Sequence, residues 1–99
     1  MSDSPALFIT ARPKVFRGHR VAKSLSQIAE LSAETRLGRV VDRPNSSLLK
    51  RQKKCTLKIF FDSPDDLIDF QRRTIFKESL EDVARHCKNK EQGIETLNL

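Results

Sequence analysis

The sequence predicts an α+β domain of the ferredoxin-like class, in which a split βαβ pattern places helices on one face of a mostly antiparallel sheet. Strand and helix patterns follow one another in the order β-α-β-β-α-(α)-β. The 99 residues suit one domain, and Leu, Ile, Val and Phe together number 28, which is enough for a core. We therefore expect a single domain over residues 1–99. Residues 1–5 should be disordered, and residues 94–99 should form either a last strand or a frayed tail.

The first strand is predicted over residues 6–11, which are apolar and β-prone, and Arg12-Pro13 closes it because proline cannot donate to a strand ladder. Residues 14–23 are basic and fit either a loop or a short extra strand. A helix is predicted to begin at Ser24, because SLSQ has the hydroxyl and amide spacing of a capping box. Gly38 should end it, and residues 39–42 read as a short strand.

Residues 55–61 are the clearest strand pattern in the chain. Ser63-Pro64 then predicts a helix start, with a capping serine and with proline at the first helical position. A second capping pattern begins at Ser79 and predicts helix up to Gly93. Whether residues 63–92 form one kinked helix or two is left open.

The two faces of this sheet are predicted to differ. In the ferredoxin-like order the first and third strands are neighbours, and alternate side chains point to opposite faces. The helices should cover the face that carries Leu7, Ile9, Leu57, Ile59 and Phe61. The opposite face should carry Phe8, Thr10, Thr56, Lys58 and Phe60. Two rings beside a lysine resemble a stacking platform for single-stranded bases, unless residues 14–23, the last helix or a second subunit cover them.

Charge is unevenly distributed along the chain. Residues 1–60 hold 13 Lys and Arg and 4 Asp and Glu, whereas residues 61–99 hold 6 and 9. Such asymmetry favours an acidic partner for the first part, with nucleic acid the commonest candidate. The residues predicted to bind nucleic acid are Arg12, Lys14, Arg17, Arg20, Lys23, Lys50, Arg51, Lys53, Lys54, Lys58, Phe8 and Phe60.

From these features the sequence predicts a small nucleic-acid-binding regulator rather than an enzyme, with RNA or single-stranded DNA as the favoured ligand. One alternative is an inhibitor or adaptor whose basic half binds an acidic protein surface, with a homodimer as a further expectation. Another is a small nuclease that would use Asp62, Asp65, Asp66 or Asp69 to hold a divalent ion, although helix capping also explains Asp65 and Asp66. A metal-free ribonuclease with His19 or His86 as acid or base is a further form of this alternative.

Two nucleic-acid-binding motifs are not matched by the sequence. KCTLKIFF keeps the first and last residues of an RNA-recognition-motif strand, but Thr56 and Lys58 occupy its inner aromatic positions. A helix-turn-helix over residues 24–44 lacks the turn glycine and is too short.

Metals, cofactors and membranes are not expected as partners of this chain. His19, Cys55, His86 and Cys87 show no metal-ligand spacing, and no glycine-rich phosphate loop is present. No apolar run is long enough to span a bilayer, and no secretory signal opens the chain. A cytoplasmic location and two unbridged cysteines are therefore predicted.

Overall fold

The computed structural model describes residues 3–42 and 54–98, which form four strands and three helices. In chain order these elements are β1 (Asp3–Pro13), α1 (Gly18–Thr35), β2 (Arg39–Asp42), β3 (Cys55–Phe60), α2 (Pro64–Arg72), α3 (Thr74–Arg85) and β4 (Cys87–Asn98). The strands form one antiparallel sheet in the order β2-β3-β1-β4. This order confirms the predicted ferredoxin-like fold, including the central pairing of the first and third strands.

The helices lie on one face of the sheet and bury the predicted set of apolar side chains. Leu7, Ile9, Leu57, Ile59 and Phe61 are all at most 1% exposed. Three phenylalanines extend this core from β3 into the helices: the ring centroids of Phe61 and Phe70 lie 5.3 Å apart, and so do those of Phe70 and Phe76. These tilted contacts fix where α2 and α3 pack, since aromatic pairs favour such distances and angles.

Helix α1 begins six residues earlier than the capping pattern predicted. It starts at Gly18, so Ser24 lies within the helix, where it is buried and donates a hydrogen bond of 2.6 Å to Asp82 Oδ2. The serine therefore links α1 to α3 instead of capping a helix. The left-handed residue after the helix is Arg36, at φ 57°, and not Gly38.

Gly38 is needed for packing instead. A Cβ at this position would lie 2.7 Å from Ile59 Cγ2 and 2.9 Å from Phe61 Cε1. Residues 14–23, which were left open between a loop and a strand, form neither alone: residues 14–17 are the turn between β1 and α1, and residues 18–23 belong to α1.

Both ends of the chain pair more extensively than the sequence predicted. Strand β1 already begins at Asp3, so residues 3–5 belong to the sheet and not to a disordered opening segment. The last helix ends at Arg85 rather than Gly93, and residues 87–98 pair with β1 along nearly its whole length. Pairing with β1 therefore outweighs the local helix signal in residues 87–93. Residues 63–85 form two helices that meet at Arg73.

Ser63 caps α2 as predicted, since its Oγ accepts a hydrogen bond of 3.2 Å from the Asp66 amide and Pro64 is the first helical residue. We predict that Ser63→Ala lowers the free energy of unfolding by about 1 kcal/mol, because an amide at the helix start loses its partner. Urea denaturation measures this change. Ser26→Ala, within α1, removes the same hydroxyl without removing a cap, so an equal loss in both variants would contradict the capping role.

Candidate functional site

The face of the sheet away from the helices, which we call the open face, carries the side chains that the sequence predicted for it. Phe8 and Thr10 of β1 and Thr56, Lys58 and Phe60 of β3 are all partly exposed there. Phe8 pairs with Lys58 and Thr10 with Thr56 across the two strands. The face therefore presents two rings, two hydroxyls and one ammonium group within a short stretch of two adjacent strands.

An ion pair crosses the open face from β3 to β4. Lys58 Nζ lies 2.7 Å from Glu95 Oε2 and 5.7 Å from the centre of the Phe60 ring. The side chains of Lys58 and Glu95 are 29% and 48% exposed, so water screens the pair and its contribution to stability is small. Its effect is positional, because it holds the ammonium group beside the Phe60 ring instead of leaving it free for a phosphate.

Gly93 makes room for the Phe8 ring. It pairs with Phe8 across β1 and β4, and a Cβ at this position would lie 2.7 Å from Phe8 Cε1. The ring therefore lies over the backbone of β4, which partly shields it from water. The sequence pattern predicted a helix end at Gly93, whereas the cross-strand register shows that the residue makes room for the Phe8 ring.

The described basic residues of the predicted site lie mainly at one end of the sheet. Arg12 and Lys14 end β1, Arg17 and Arg20 begin α1, and Lys54 directly precedes β3. Lys23 lies one turn further along α1 and is exposed. The predicted site therefore divides in two, with Phe8, Phe60 and Lys58 on the open face and the other described cations at the end of the strands. Lys50, Arg51 and Lys53 lie outside the described residues.

A groove lies between α1 and α3, on the helix side. It encloses about 450 Å³. Its lining residues are Gln27, Glu30, Leu31, Glu34, Ile75, Glu78, Ser79 and Asp82. The four carboxylates make it acidic, and no sequence pattern predicted it because its residues come from two separate helices.

Residues 3–42 and 54–98 contain no cluster of three or more His, Cys, Asp or Glu side chains able to hold a metal ion.

Asp82 lies between Ser24 and His86 but does not form a nucleophile-activating arrangement. Its Oδ2 accepts the Ser24 hydroxyl at 2.6 Å, and its Oδ1 lies 3.6 Å from His86 Nε2. Activation of a serine requires the histidine between the serine and the carboxylate, whereas here the carboxylate is in the middle. Because Ser24 is also buried, this group joins the two helices instead of performing hydrolysis.

Two of the four aspartates considered for a nuclease take part in structural contacts. Asp66 contributes the amide that Ser63 caps, and Asp69 Oδ2 lies 3.5 Å from Arg73 Nη2 one turn away. Asp62 and Asp65 are exposed at the start of α2. The helix-capping interpretation of Asp65 and Asp66 therefore fits the structure, since both lie in the first turn of α2.

The two cysteines are buried, unbridged and on opposite sides of β1, where Cys55 pairs with Ala11 and Cys87 with Pro13. Burial, followed by the nearby Cys55, raises the pKa of Cys87 to about 11, against the opposing effects of Lys90 and Lys14. Burial also raises the pKa of Cys55. Both groups are therefore neutral thiols at physiological pH, which argues against a nucleophilic or dithiol redox centre.

Comparison with solved structures confirms the fold at very low sequence identity. A conserved protein from Bacteroides thetaiotaomicron, described as a possible oxidoreductase, matches with a TM-score of 0.76 and 9% identity over 100% of both chains. A proposed antibiotic biosynthesis monooxygenase from Nitrosomonas europaea matches with a TM-score of 0.73 and 12% identity over 96% of this chain and 90% of its own. No protein-family model matches the chain, and neither does any curated protein.

A third similar structure is a dimeric ferredoxin-like protein from Thermobifida fusca, with a TM-score of 0.71 and 11% identity over 98% of this chain and 93% of its own. The first two matches overturn the predictions of a nucleic-acid-binding regulator and of a non-enzyme, because the named activities are oxidative and enzymatic. Nothing in the matches supports a nucleic acid or an acidic protein as partner. The earlier prediction was wrong because excess positive charge is compatible with many functions.

The thiol assignment predicts slow labelling by Ellman's reagent. At pH 8 the native protein should react about a hundredfold more slowly than the protein in denaturant, because the thiolate is the reactive form and burial suppresses it. The variants Cys55→Ser and Cys87→Ser identify which thiol accounts for any residual reaction. Labelling of the native protein at the denatured rate would contradict the assignment.

Proposed function

We propose that this protein is a small oxidoreductase of the monooxygenase type that works as a homodimer. The observation that carries the proposal is the match along the whole chain to structures described as a possible oxidoreductase and a proposed monooxygenase. At this identity the likeness by itself indicates the fold, and the side chains of the open face supply the support for the chemistry. Two unbridged cysteines are consistent with the reducing cytoplasm as its compartment.

The open face is the surface we assign to both substrate and second subunit. In the described part of the chain all three helices lie on the other side of the sheet, so no helix covers Phe8 and Phe60. Apolar rings on an exposed sheet face are costly in water, and a second copy of the same face would cover them. The dimeric protein of the same fold supports this choice of partner.

A substrate held between two such faces would contact aromatic rings on both sides. Phe8 and Phe60 favour a flat aromatic molecule, and a phenolate or another anionic oxygen of that molecule would pair with the Lys58 ammonium group by displacing Glu95. Electron-rich aromatic compounds such as hydroquinones give electrons to dioxygen readily, which makes them the first substrate class to test. Exclusion of water by the second subunit would strengthen each polar contact with the substrate.

The dimer prediction is tested with one substitution in the middle of the open face. Thr56→Arg would bury an unpaired charge, which costs several kcal/mol, so the dissociation constant should rise by at least about a hundredfold. Analytical ultracentrifugation measures it. Thr74→Arg adds the same side chain at an exposed position of α3 and should leave the dimer intact. A wild-type monomer, or equal effects of both variants, would refute the interface.

The activity prediction is tested by oxygen uptake of the purified protein with a panel of hydroquinones and naphthols, with and without added flavin mononucleotide or haem. We expect substrate-dependent uptake above the rate of the substrate alone. Phe60→Leu should lower kcat/KM by about tenfold because the stacking ring is lost. Phe16→Leu, at an exposed phenylalanine off the open face, is the control. No uptake across the whole panel would count against an oxygen-dependent enzyme.

A further inference from the structure

The turn between β1 and α1 exposes two adjacent apolar side chains at the end of the molecule. Val15 is 67% exposed and Phe16 is 91% exposed, which makes Phe16 the most exposed of the large apolar side chains in the described ranges. Phe16 also has a φ of 64°, in the left-handed region that residues with a Cβ rarely adopt. Both features destabilise the isolated domain, because the exposed ring stays in water and the positive φ strains the backbone.

Cations surround this apolar tip. Lys14 and Arg17 flank it in sequence, and Arg12 and Arg20 are the next cations on either side. Lys54 lies at the same end of the sheet, because it directly precedes Cys55 of β3, which pairs with Ala11. The four ion pairs that the structure shows within residues 3–42 and 54–98 involve Lys58, Arg73, Arg85 and His86 and none of these five cations.

Several acidic side chains of α1 and α3 lie away from the tip. Helix α1 leads from the tip towards Glu30 and Glu34, and a rise of 1.5 Å per residue puts Glu34 roughly 25 Å from Arg17. Glu78 lies in the first half of α3, whose other end is held at the tip by the hydrogen bond of 2.9 Å between the Lys14 amide and the His86 carbonyl. The described part of the molecule is thus basic at the tip, whereas at the far end of the helices these carboxylates are mixed with Arg36, Arg73 and Lys77.

We propose that the Val15-Phe16 tip docks this protein on anionic membrane surfaces. The two side chains would enter the boundary between headgroups and acyl chains, while the surrounding Lys and Arg side chains contact the anionic headgroups. A protruding turn with two apolar residues suits a bilayer, which deforms around it, better than a protein partner, which would need a matching cavity and a larger contact area. The inference departs from the expectation of no membrane partner, and it does not depend on the oxidoreductase proposal.

Co-sedimentation with lipid vesicles tests the inference on the full chain. Wild-type protein should bind vesicles containing one third phosphatidylglycerol, bind vesicles of pure phosphatidylcholine weakly, and dissociate as salt is raised. Phe16→Gly should weaken partitioning by at least about tenfold, because the buried ring is lost. The same change relieves the left-handed strain, so its thermal stability should equal or exceed that of wild type, which rules out misfolding as the cause.

Matched controls separate the ring from the charges. Ile75→Ser removes an exposed apolar side chain from α3 and should leave binding unchanged. Arg17→Gln should weaken binding by about fivefold, whereas Lys77→Gln on α3 should not. The proposal is overturned if wild type does not bind anionic vesicles, if Phe16→Gly binds as well as wild type, or if neutral vesicles bind equally. It is also overturned if Phe16→Gly turns a dimer into a monomer in ultracentrifugation, since the tip would then be a subunit contact.

Discussion

The position of β1 between β3 and β4 is the constraint on which the rest of the structure depends. Because β1 is paired on both edges, its register fixes both neighbours, and the strict alternation of side chains then divides the sheet into two surfaces. Leu7 and Ile9 face the helices, while Phe8 and Thr10 face away from them. A slip of one residue would exchange the core face and the open face. The register that directs side chains into the aromatic core beneath α2 and α3 therefore also determines where Phe8 and Phe60 lie.

Sequence patterns predicted the architecture and the two faces because alternation and element order are properties of short segments. They failed where a distant partner decided the outcome. Ser24 has the spacing of a helix cap, yet its hydroxyl is used by Asp82, a residue 58 positions away. Gly93 fits the pattern of a helix end, but its neighbours pair with β1 as part of β4. The Phe8 ring leaves no room for a Cβ at this position. In both cases tertiary contacts outweighed a weak local preference.

The functional prediction failed for a different reason. Positive charge in the first 60 residues was read as a phosphate-binding surface, and five of those cations do lie at one end of the sheet. Lys58, however, belongs to the other face and pairs with Glu95. Charge alone does not distinguish a nucleic acid from another anionic partner. The proteins of similar fold share so little sequence with this chain that no motif could have pointed to them.

The two proposed surfaces do not compete, because one is the face of the sheet and the other is the turn at its end. In a dimer joined through the open faces, a two-fold axis along the strands would place both tips at the same end, whereas an axis across the strands would place them at opposite ends. The first arrangement lets both tips of a dimer enter one membrane. Once one tip is bound, the other binds intramolecularly, so the dimer binds more tightly than a single tip. The arrangement with the axis across the strands permits only one tip of each dimer to bind a given membrane. The steepness of vesicle binding with protein concentration therefore reports the symmetry of the dimer as well as its affinity for lipid.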